Sequence, residues 1–160
     1  MTHVLVLLLA LGIGFVSGLR AFTAPAAIAW AAALDWIDLS GTWASWVGHW
    51  ATFAVLTTLA VVEYITDQLP KTPSRKSTPQ FAARLIAGGF AGAVLGAAWG
   101  YTMGSLGAGV IGAVLGTLGG YEARRRLVAA NGGRDLPVAL AEDFIAIGGG
   151  ILIAYLTSAV

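Results

Sequence analysis

Cysteine is absent from all 160 residues of this chain. That excludes disulfides, thiolate nucleophiles and cysteine metal sites, and it is compatible with any compartment. Charge is also scarce: Asp, Glu, Lys and Arg supply 11% of the residues, against about 25% in a soluble domain. Only two histidines occur, His3 and His49, too far apart in sequence to suggest a metal pair. Neither a zinc-protease motif nor a Gly-x-Ser-x-Gly spacing is found. The expectation is a protein that is not an enzyme and needs no metal or cofactor. A formal net charge of +1 gives no electrostatic footprint for nucleic acid.

What is present is apolar. Hydrophobic residues make up 58% of the chain, and the mean hydropathy is +0.80. This composition, sustained over most of the length, predicts a single all-α domain over 1–160, a polytopic bundle of transmembrane helices. A helix needs about 20 residues to cross a hydrocarbon core of about 30 Å. Apolar stretches run roughly over 4–34, 44–66, 81–103, 105–121 and 138–159, which gives about five spans, the fourth short. The first is too long for one straight helix. Gly18, Arg20, Thr23 and Pro25 interrupt it, and proline removes a backbone donor while crowding the preceding turn. Residues 4–34 therefore either cross once as a broken helix, the reading adopted, or double back as two half-length helices. No Lys or Arg precedes this stretch, so it reads as a retained segment and not as a cleavable signal.

Two short loops hold most of the basic residues. Lys71, Arg75 and Lys76 lie in 68–80, and Arg124, Arg125, Arg126 and Arg134 in 122–137. Short basic loops stay in the cytoplasm, so both are placed there. The two spans between them then turn outside, around 104–107. Trp36, Trp43, Trp46 and Trp50 form an interfacial aromatic pattern at the outer face. Contact with membrane lipids accounts for the basic clusters.

Within the apolar segments the exceptions are ionisable. Glu63 and Asp67 are four apart and share a helix face, which His49, Thr52, Thr57 and Thr66 extend. Glu142 and Asp143 are adjacent and point about 100° apart. The helix carrying them begins near Asp135, with Pro137 in its first turn. Arg84 opens a span at the same depth, and Arg20 approaches from the interrupted segment. A carboxylate in hydrocarbon is costly unless it is paired, protonated or wetted. These six residues are therefore the candidate ion- or substrate-binding group. The arginines act either as counter-ions or as contacts for an anionic substrate.

Gly88, Gly92, Gly96, Gly100 and Gly104 recur every four residues, as do Gly112, Gly116 and Gly120. Small residues at this spacing let membrane helices approach closely. They predict a tight hairpin, a homo-oligomer contact, or both, and not a nucleotide loop.

The pieces SGLRAFTAP, VEYITDQLP and AEDFIAIGGG resemble an uncharacterised bacterial integral-membrane family, a domain of unknown function numbered 4126. The resemblance rests on Leu19, Arg20, Ala21 and Phe22 at the break, on Glu63, Asp67 and Pro70, and on the Glu142 and Asp143 pair. It implies a small bacterial inner-membrane protein and supplies no activity. The charges then point to a transporter or channel for an ion or small solute, with a carboxylate cluster binding a cation or proton. The alternative is a membrane scaffold or accessory subunit whose buried charges are structural.

Overall fold

A computed structural model describes residues 2–67 and 77–160. The described residues form six α-helices and one short 3-10 turn, Ser45–Gly48, with no strand among them. The helices are α1 (Thr2–Leu19), α2 (Thr23–Ala33), α3 (Trp50–Thr66), α4 (Thr78–Ala97), α5 (Thr102–Ala130) and α6 (Asp135–Thr157). α4, α5 and α6 are each long and apolar enough to cross a membrane, and α1, α2 and α3 are shorter apolar helices. The exterior agrees with that reading. Ile86, Met103 and Phe144 are 72%, 80% and 79% exposed, and a broad outward-facing apolar surface of this kind is tolerable in lipid, not in water.

The first apolar stretch folds back on itself instead of running on as one broken helix. His3 at the start of α1 meets the Tyr101 hydroxyl at 2.6 Å, whereas Arg84 reaches the carbonyls at the end of α1, Gly18 and Leu19. After the break at Arg20, Ala21 and Phe22, α2 runs back beside α6. Thr23 and Ala27 lie next to Gly150, and Trp36, just beyond α2, packs edge-on against Tyr155. α1 and α2 are thus the arms of a hairpin whose open end faces the α4–α5 turn and the end of α6. Pro25 and Gly18 forecast the break, but the direction of the exit is set by tertiary contacts at its tip. Pro25 itself sits in the first turn of α2, where its missing N–H costs no helical bond.

The glycines serve two different contacts. Gly88, Gly92 and Gly96 of α4 lie against Gly109, Ala113 and Ser105 of α5. Gly112 and Gly116, by contrast, face α1, where a Cβ on either would run into backbone of Leu11, Phe15 or Gly18. Gly104 looks toward Leu7 of α1. Gly100 is outside the helices, in a turn over 98–101 and not the expected 104–107. Its φ of +74° and the Tyr101 N–H bond to the Gly96 carbonyl, 2.8 Å, form a left-handed helix stop that glycine adopts without steric cost. α5 runs on through Ala130, so residues 122–130 are helix rather than loop. Gly132, φ +66°, stops it in the same way. Lys71, Arg75, Lys76 and Pro70 lie outside the described residues.

Candidate functional site

A helix break leaves carbonyls without donors on one side and amides without acceptors on the other. At the hairpin tip, both sets are met by ionisable or hydroxylic side chains from neighbouring helices. On the α1 side, Arg84 Nη1 donates to the carbonyls of Gly18 and Leu19 at 2.8 and 2.9 Å. Thr117 donates to the Gly18 carbonyl at 3.2 Å, and Ser17 donates to the carbonyls of Ala21 and Arg84. On the α2 side, the Glu63 carboxylate accepts from the Ala21 N–H at 2.7 Å and the Phe22 N–H at 2.8 Å. A cation at a helix C-terminus and a carboxylate at a helix N-terminus both match the macrodipole. The two signs are placed accordingly.

Arg20 occupies the break itself and is fully buried. Its guanidinium pairs with Asp67 of α3 and Asp143 of α6, donating from Nε to Asp143 Oδ1 at 2.6 Å. It also lies 5.5 Å from the ring centre of Tyr64, whose hydroxyl meets Thr23 at 2.6 Å. Arg84 Nη2 comes within 3.8 Å of Asp67. Among the described residues, the guanidinium groups of Arg20 and Arg84 thus stand against three carboxylates, Glu63, Asp67 and Asp143. A cavity of about 280 Å³ opens between α3 and α4. Glu63 and Asp67 line it, together with Phe22 of the tip, Val62 and Thr66 of α3, and Gln80 of α4. The carboxylates that hold the tip therefore border an accessible space. Burial differs sharply on the α1 side, where Ser17, Arg84 and Thr117 are at most 1% exposed.

Residues 7–157 match a family described as a domain of unknown function, DUF4126. The chain belongs to this family. No curated protein and no solved structure matches it.

In this DUF4126 protein five of the six candidate residues meet directly. Glu63, Asp67, Asp143, Arg20 and Arg84 converge on the tip. Glu142 is buried too, but it faces Arg124 of α5 at 3.4 Å, beside the closer Arg124–Asp135 pair at 2.7 Å. Adjacent residues on a helix point in different directions, and here Asp143 meets Arg20 while Glu142 meets Arg124. The polar stripe on α3 is mostly satisfied locally. His49 caps α3 by accepting from the Ala51 N–H, while Thr57 and Thr66 donate to backbone carbonyls one turn earlier. Sequence reasoning passed over Ser17, Tyr64 and Thr117. Tyr64 stood between two flagged acids, and its position in VEYITDQLP was the available signal. Ser17 and Thr117 carry no charge and look like ordinary small residues. Among the described residues no group of His, Asp and Glu is arranged to hold a metal ion.

Proposed function

We propose that this protein is a small membrane transporter or channel for an ion or small solute, in which the carboxylates at the hairpin tip bind a cation or proton. One observation carries the reading: Glu63 and Asp67 both fasten the tip and line an open cavity. A proton or cation entering that cavity meets the groups on which the position of α2 depends. Neutralising Glu63 weakens its hold on the Ala21 and Phe22 amides, and neutralising Asp67 weakens its hold on Arg20. The α1 side stays fixed by Arg84 and Thr117, so α2 and α3 come free of each other at the tip and access to the site changes.

In this reading α1 enters and α2 leaves on one side of a bacterial inner membrane, and α3 to α6 cross it. The arginine-bearing end of α5 and the loop to α6 lie in the cytoplasm, as the basic residues there require. A second reading, a scaffold or accessory subunit, is favoured by the complete burial and double pairing of Arg20.

Flux through liposomes separates the two. Wild-type protein is expected to conduct protons or small cations above empty liposomes. Glu63→Gln should abolish that flux while eluting as the same folded species, because Gln still accepts from one amide. Wild-type liposomes that pass no ion or small solute, together with a Glu63→Gln protein that fails to assemble, would establish the scaffold.

A further inference from the structure

α3 and α4 scarcely touch, and α2 packs on both and floors the space between them. The cavity bordered by Glu63 and Asp67 takes up the cytoplasmic part of that space, with Leu59 on the α3 wall and Ala83 on the α4 wall. Seven residues on, two turns and about 10 Å, a helix returns to the same face. Toward the outer end those positions are Thr52 on α3 and Phe90 on α4, and Trp46 touches both. Thr52 donates to the Trp46 carbonyl at 2.9 Å, and the Trp46 ring lies 6.0 Å from that of Phe90. Trp43 adds a second ring, 6.4 Å from Phe90. We infer that the solute's route is the groove between α3 and α4, and that Trp46 is its outer gate.

This inference rests on the transport reading and supplies what that reading needs, a closure between the carboxylates and the outer side. The segment that carries Trp46 is itself anchored. Ile37, Leu39, Ala44 and Val47 are at most 5% exposed, and a Cβ on Gly48 would press on Ala32 of α2. Trp43 and Trp46, by contrast, are about half exposed. The backbone is held while the rings stand out from it, so rotation of the Trp46 side chain changes the seal without displacing the segment. A tilted contact between two aromatic rings is a small interaction, which thermal motion breaks and re-forms.

The test reads access and flux separately. Ala83→Cys in the full chain is labelled in sealed, oriented vesicles with an impermeant maleimide added on the outer side. With Trp46 in place the thiol should react slowly from that side. Adding Trp46→Ala should speed the reaction at least tenfold, and so should Phe90→Leu, which removes the partner ring but keeps an apolar side chain. Trp46→Phe retains a ring against Phe90 and should stay slow. So should Trp50→Ala, because Trp50 is 69% exposed with its ring beside His49. In liposomes, Trp46→Ala should pass the conducted ion several-fold faster than wild type. Unchanged labelling in both Trp46→Ala and Phe90→Leu would overturn the gate and leave Trp46 an interfacial anchor. Equal acceleration by Trp50→Ala would overturn it too, since general loosening would then explain the access. Labelling needs no flux, so wild-type liposomes that pass nothing would overturn the transport reading instead.

Discussion

Replacing Arg20 with Leu should destabilise the folded protein by about 3–5 kcal/mol, the cost of breaking a buried ion pair from one side. The change leaves Asp67 and Asp143 facing each other across a site that had been closed by a guanidinium, and it strips Tyr64 of its cation. The penalty lies in the stranded charges more than in the lost arginine. A triple variant, Arg20→Leu with Asp67→Asn and Asp143→Asn, should therefore recover much of the stability, since it removes the stranded carboxylates together with their arginine and leaves Arg84 and Glu63, one charge of each sign. Denaturant titration in detergent micelles measures both. A single variant as stable as wild type would mean that the carboxylates are hydrated or protonated and that the guanidinium does not hold the tip.

The second large effect is expected at Gly112. A side chain there meets the Leu11 carbonyl and the Phe15 amide of α1, and backbone cannot rotate aside as a side chain can. Gly112→Leu must push α1 away from α5, and the hairpin moves with it. The expected loss is about 3 kcal/mol or more, at or beyond the upper end of ordinary overpacking. Gly107→Leu provides the contrast within one helix. It meets nothing within 4 Å, so the better helix propensity of leucine should make it neutral or stabilising by up to about 1 kcal/mol. Equal effects from the two substitutions would show that glycine flexibility, not the close α1–α5 approach, is what matters at Gly112.

The difference between those two glycines also explains what could be read from the sequence. Period-four spacing identified helices that pack closely, and Gly88, Gly92 and Gly96 do so against α5. The same spacing could not say that Gly112 and Gly116 serve α1, nor that Gly14, Gly18 and Gly109 complete the contact. A pattern along one helix does not name its partner. The charged residues were legible for a simpler reason: in an apolar segment each one requires compensation, so Arg20, Arg84, Glu63, Asp67, Glu142 and Asp143 pointed to a meeting place, and Glu142 pairs instead with Arg124. Their compensation is partly with each other and partly with the broken backbone. Backbone groups are the same at every position, so nothing in the sequence distinguished the amides of Ala21 and Phe22 as the partners of Glu63. The direction of the chain after the break was hidden in the same way. Pro25 and Gly18 permit either a bend or a reversal, and the reversal follows from where Glu63, Asp67 and Asp143 stand in three dimensions.

The absence of cysteine makes the central claim directly measurable. That claim is a charge-held hairpin with both arms leaving on one side and its tip bordering a cavity reached from the other. Single cysteines introduced at His3, Ala159, Gly133, Ala83 and Ile86 can be labelled in sealed, oriented vesicles with a membrane-impermeant maleimide. His3→Cys and Ala159→Cys are predicted to react from one face, and Gly133→Cys from the opposite face. Ala83→Cys, within α4 but lining the cavity, should react from the Gly133 face, whereas Ile86→Cys, 72% exposed on the lipid side, should stay unreactive. Labelling of His3→Cys and Ala159→Cys from opposite faces, or an Ala83→Cys as inert as Ile86→Cys, would contradict the account.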